Sequence, residues 1–113
     1  MKKIAATFLV LFLVVNAYAG FEGPGASQKN TPVKAVDRLA DDSKIVLVGH
    51  LLKKLGDERY LFQDDTGMIE VEIDDEDFRG VKVTPQDKIR ITGEVDRDGR
   101  QVTVEVDYLE KVK

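Results

Sequence analysis

The chain has 113 residues, 17 basic and 21 acidic, with a single His and no Cys or Trp. This length holds one small core, and the missing thiols exclude a disulfide framework, a thiolate nucleophile and a Cys-bearing zinc centre. A formal charge of −4 argues against polyphosphate partners and favours cations or cationic surfaces.

Residues 1–19 read as a signal peptide. Lys2 and Lys3 precede an apolar run from Ile4 to Val15, and Ala17-Tyr18-Ala19 places small residues at the −3 and −1 positions of a cleavage site after Ala19. The run is shorter than the about 20 residues that cross a hydrocarbon core, and no Cys follows it to carry a lipid. The expected mature chain starts at Gly20, occupies an exported compartment and makes no stable membrane insertion after cleavage. Loss of the two lysines moves its formal charge from −4 to −6. Residues 20–30 are rich in Gly and polar groups and read as a flexible tail. Phe21 is the one bulky group there, either idle or docked on the domain or a partner.

Thr31-Pro32 has the form of a helix start, with Thr as N-cap and Pro at the first helical position. Val33, Val36, Leu39 and Ala40 then make an apolar stripe about two turns long, ending near Asp41-Asp42-Ser43. From Lys44 the period changes to two. Ile45, Leu47, Gly49 and Leu51 alternate with Val46, Val48, His50 and Leu52 along a first strand. Gly56-Asp57-Glu58 turns the chain into a second strand, Tyr60 to Gln63, and Asp64-Asp65-Thr66-Gly67 turns it again. Met68 to Asp74 is the cleanest strand, with Ile69, Val71 and Ile73 opposed to Glu70, Glu72 and Asp74.

One helical turn at most, around Glu76-Asp77-Phe78, lies in the connection that follows. A fourth strand carries Ile89, Ile91, Gly93 and Val95; Asp98-Gly99 marks a hairpin; a fifth carries Val102, Val104 and Val106. Leu109 and Val112 break that alternation, which predicts a bulge near Tyr108. Five strands in an open sheet would leave an apolar face that one short helix cannot cover. Closure into a barrel removes the exposed face and most free edges, and Gly49 and Gly93 sit where a small barrel needs sharp bends. The expected class is all-β, a five-stranded OB-fold over residues 31–113, with the short N-terminal helix capping one end.

With this organisation the chain resembles the bacterial OB-fold (BOF) family of exported, stress-induced proteins. The resemblance rests on the leader, on Phe21-Glu22-Gly23-Pro24, on Thr31-Pro32, and on Asp41-Asp42 and Val48-Gly49-His50. Its most specific part is Tyr60-Leu61-Phe62-Gln63-Asp64-Asp65-Thr66-Gly67 running into Ile69-Glu70-Val71-Glu72-Ile73-Asp74. Residues 80–87 and 91–96 complete it. The resemblance implies a periplasmic OB-fold domain linked to envelope stress tolerance, acting as a binding or accessory protein with no catalytic residue set.

The usual OB binding surface is the outer face of strands two and three. Here the outward row is Glu70, Glu72 and Asp74, whose carboxylates would repel phosphates, so nucleic acid is not an expected partner. Asp74-Asp75-Glu76-Asp77 extends the row, either as a weak cation site or as a solvated turn; it lacks the loop spacing of an EF-hand. A plain β-turn accounts for Asp64-Asp65-Thr66-Gly67. His50 faces outward by parity, and alone it makes no zinc site. Val46, Val48, Leu52 and Leu61 form an apolar strip, either a groove floor or, in part, the seat of the N-terminal helix.

The expected ligand-binding set is therefore His50, Leu61, Glu70, Glu72 and Asp74, flanked by Asp57-Glu58 and Arg97-Asp98. No catalytic residue, metal or cofactor is expected. The expected ligand is a cationic or oligosaccharide-like envelope molecule, bound without chemistry. The alternative is an adaptor that docks on an outer-membrane or envelope protein through the apolar strip.

Overall fold

The structure is a computed structural model that describes residues 29–113. The signal peptide, its cleavage site and nearly all of the 20–30 tail lie outside the described residues. The elements are α1 (Val33–Val36), β1 (Lys44–Gly56), β2 (Arg59–Asp64), β3 (Gly67–Glu72), a 3-10 turn (Asp75–Phe78), β4 (Ile89–Asp98) and β5 (Gln101–Lys111). The strands close in the order β1-β2-β3-β5-β4. All neighbours are antiparallel except β3 and β5, which run parallel. This is the five-stranded OB barrel that the alternation predicts. Among the described residues no helix is long and apolar enough to cross a membrane.

The barrel closes because β1 serves two neighbours in turn. Residues 44–49 pair with β4, and from His50 onward the strand pairs with β2. Gly49 sits at this handover. A Cβ there would lie 2.2 Å from the Gln63 carbonyl oxygen and 2.9 Å from Phe62 Cζ, so only glycine lets the strands cross this closely. The predicted bulge in β5 falls at Asp107: Thr92 aligns with Tyr108 and Gly93 with Val106, leaving Asp107 unopposed.

Inward residues of all five strands make one core, in which Leu47, Phe62, Val71, Ile73, Ile89, Ile91, Val104 and Leu109 are fully buried. Val33 and Val36 join it. α1 packs against β3, whose first residues are not paired with β5, so its two valines reach the interior there and α1 acts as a plug. Phe78 packs on the core beside Tyr60, ring centroids 5.6 Å apart and edge to face.

The helix differs from its sequence signature. It is a single four-residue turn, and Pro32, extended at ψ 143°, takes the N-cap position. Thr31 is committed elsewhere: its N–H donates to Val46 O at 2.8 Å, in a parallel bridge of Asn30 to Val46. The cap arrives from the β2–β3 turn. Val33 N–H donates to Asp64 Oδ2 (2.9 Å) and Lys34 N–H to Thr66 Oγ1 (3.1 Å). Nor does the helix sit on the strip of Val46, Val48, Leu52 and Leu61. It packs against β3, while the Asn30-Thr31 segment lies along Val46 and leaves it buried. At its far end Arg97 clasps the chain: Nε donates to Leu39 O (2.8 Å), Nη2 to Asp37 O, and the backbone N–H to Asp41 Oδ1 (2.8 Å).

Asp64 therefore has two jobs. Oδ1 accepts from Thr66 N–H (2.7 Å), Thr66 Oγ1 (2.7 Å) and Gly67 N–H (3.1 Å), while Oδ2 caps α1. Partial burial pushes its carboxyl up, but the Thr66 hydroxyl and the backbone N–H groups of Val33, Thr66 and Gly67 outweigh this and hold it below its ordinary value. Asp64→Ala should lower stability by about 1–2 kcal/mol at neutral pH, as for a lost N-cap. Because the folded carboxyl is the more acidic, the contribution is full above about pH 4 and is lost as pH falls through the depressed value. Urea midpoints of the two proteins should converge in acid; a constant gap would exclude the ionised cap.

Candidate functional site

The outer face of β1, β2 and β3 is a lattice fixed by register. His50 aligns with Gln63 and Gln63 with Met68; Lys53 aligns with Leu61 and Leu61 with Glu70; Gly56 aligns with Arg59 and Arg59 with Glu72. Leu61 is thus the half-buried centre of a mixed-sign surface. Glu70 and Glu72 point outward as the alternation predicts. Glu70, however, is matched by Arg59, with Nη1 3.1 Å from its Oε2. The wall of strands one to three is therefore not uniformly negative.

The negative surface continues where the barrel closes. Glu72 of β3 aligns with Glu105 of β5, which aligns with Glu94 of β4, which in turn aligns with Lys44 of β1. Three carboxylates stand side by side across three strands, with Lys44 Nζ 3.0 Å from Glu94 Oε2 at one end. Partial desolvation first, then the charges of Asp96, Glu72, Glu94 and Asp107, raise the Glu105 carboxyl above its ordinary value. At the β1–β2 loop Glu58 is also raised, chiefly by the Asp74 charge and a hydrogen bond to it, then by desolvation and by Asp75 and Glu72. Asp74 sits at the N-cap position of the 3-10 turn but makes no side-chain cap. Glu72 and Asp74 thus belong to one acidic band, and Glu70 stands outside it in its own ion pair.

His50 is apart from that band. Its Nδ1 lies 3.0 Å from Pro85 O; a carbonyl only accepts, so Nδ1–H donates to it. With Gln63, Asp65 and Lys88 it lines a polar recess of about 630 Å³. Among the described residues no group of three or more His, Asp or Glu is arranged to hold a metal ion. Of the flanking loops, Asp57-Glu58 borders the acidic band, whereas Arg97 is spent on clasping α1. The residues sequence reasoning missed are Glu94, Asp96 and Glu105. Their alternation along β4 and β5 is visible in the sequence. Their alignment with Glu72 is not, because it depends on the parallel β3–β5 closure.

Comparison with known proteins agrees with the geometry. Residues 14–111 match the bacterial OB fold (BOF) protein family. The calcium-regulated OB-fold protein CarO of Pseudomonas aeruginosa is 44% identical over 105 residues, covering 91% of this chain and 89% of CarO. Protein YgiW of Escherichia coli K12 is 35% identical over 128 residues, 99% of this chain and 98% of YgiW. The solved structure of E. coli YgiW superposes with a TM-score of 0.75 at 40% identity, covering 82% of this chain and 98% of that one. Neither relative is named for a catalytic activity.

Proposed function

Because this chain belongs to the bacterial OB-fold (BOF) family, we propose that it is an exported, non-catalytic binding protein that supports envelope stress tolerance by recognising a cationic ligand in the periplasm. The observation that carries this reading is the in-register row Glu72–Glu105–Glu94. Like charges directly opposite on neighbouring strands weaken a sheet by up to about 1 kcal/mol per pair. A polyamine or cationic peptide laid across the band supplies the missing counter-charge. An oligosaccharide is less well served, because Tyr60 turns its ring inward against Phe78 and leaves the lattice without an outward aromatic platform.

The test separates the fold's interest from the ligand's. Glu72→Gln with Glu105→Gln should raise the melting temperature of the free protein by several degrees, as expected for about 1 kcal/mol gained in a domain this size. The same variant should lose the thermal shift that spermidine gives the unmodified protein at low salt. CarO is named as calcium-regulated, so calcium belongs in the titration as a divalent comparator. An undiminished spermidine shift in the variant, or none in the unmodified protein, would rule out the acidic band as the binding face.

A further inference from the structure

A second surface has the opposite character. The parallel pairing of β3 and β5 is limited to Val71 with Val104 and Glu72 with Glu105. Ahead of those pairs the starts of the two strands are not joined, and α1 lies over the opening, with Val33 packed near Gly67. The result is a slot of about 310 Å³ whose apolar lining is Val33, Met68, Ile69 and Val102. Met68 is the most exposed large hydrophobic residue described, at 56%. Lys34 from α1 and Arg100 from the β4–β5 hairpin line the same slot, and among the described residues neither lies in an ion pair. Asp37 is the single carboxylate there. In a protein of formal charge −4, this slot has an apolar lining and a net positive rim.

We propose that the slot binds a small amphiphilic carboxylate, its chain against Met68, Val102 and Val33 and its head between Arg100 and Lys34. Each part of the ligand follows from a part of the slot. The volume lies at the lower end of small-molecule sites, which fits one short chain. The planar guanidinium of Arg100 matches a carboxylate with two parallel hydrogen bonds. Asp37, a carboxylate lining the same slot, disfavours a doubly charged phosphate head. The site shares no residue with the acidic band, so the two assignments stand or fall separately.

The experiment is a titration of the purified protein with decanoate below its micelle concentration at low salt, read by the side-chain methyl signals. Saturable shifts at Val33, Met68, Ile69 and Val102 are expected, with none from decyltrimethylammonium at equal concentration. Lys34→Gln with Arg100→Gln should weaken decanoate at least about tenfold, as for a lost charged hydrogen bond. Both side chains are exposed, and an otherwise unchanged spectrum confirms the variant's fold. Three results would overturn the proposal: no saturable shift, equal binding by the cationic amphiphile, or undiminished affinity in the double variant. Displacement of decanoate by micromolar amounts of a leucine-ended hexapeptide would also overturn it, by giving the slot to a peptide strand along β3.

Discussion

Phe62→Ala should remove about 3–5 kcal/mol of unfolding free energy, against a total of about 5–10 kcal/mol for a domain of this size. Phe62 is the largest of the fully buried side chains. It stands in register with Leu51 on one side and Ile69 on the other, so its ring fills the middle of the β1–β2–β3 wall. The cost belongs at the upper end of the range for large-to-small changes because the wall cannot collapse. A closed sheet fixes the strand spacing through its own hydrogen bonds, and the space left by the ring stays open. Phe62→Leu, which keeps most of the volume, should cost much less, about 1–1.5 kcal/mol. Urea denaturation checks both. A loss under about 1 kcal/mol for the alanine variant would contradict a ring packed tightly on every side.

Gly93→Ala is expected to cost about 3 kcal/mol or more, beyond the usual range for overpacking. One added methyl at Gly93 would lie 2.1 Å from the Glu105 carbonyl oxygen and 3.0 Å from Val106 Cα. Those atoms are backbone, held in the β4–β5 ladder at the point where the bulge shifts its register. No side chain can swing away, so the strands must part. The contrast is Gly67→Ala, where the nearest atom to an added Cβ is Val33 Cγ1 at 3.5 Å, an ordinary contact. Thermal melts of the two variants should differ by ten degrees or more, on the order expected for a 2–3 kcal/mol difference. Near-equal melting temperatures would mean that β4 and β5 do not approach so closely at Gly93.

The site was legible in part. Parity along β3 placed Glu70 and Glu72 outside the barrel, since Val71 and Ile73 had to be inside. Parity could not say what faces them. Arg59 is eleven positions from Glu70 yet meets it across the β2–β3 pair, a local consequence of a tight turn that a register count could have found. Glu105 meets Glu72 only through the parallel closure, which no local pattern encodes. Asp64 shows a different gap. Its turn role follows from Asp-Asp-Thr-Gly, but its cap on α1 spans 31 positions and replaces the cap expected from Thr31.

The strands, their inward faces, the two bend glycines and the bulge are legible in the residues alone, because they follow from a side-chain period of two and from local sterics. Which strands become neighbours across the closure, and hence where charge accumulates and where the wall opens, is set by the assembled barrel. Alternation fixes the face on which a residue lies but carries no record of the residue that will stand beside it. That neighbour is chosen by the joint packing of Phe62, Leu47, Ile91 and Leu109 in one interior, a property of the whole barrel and of none of its segments.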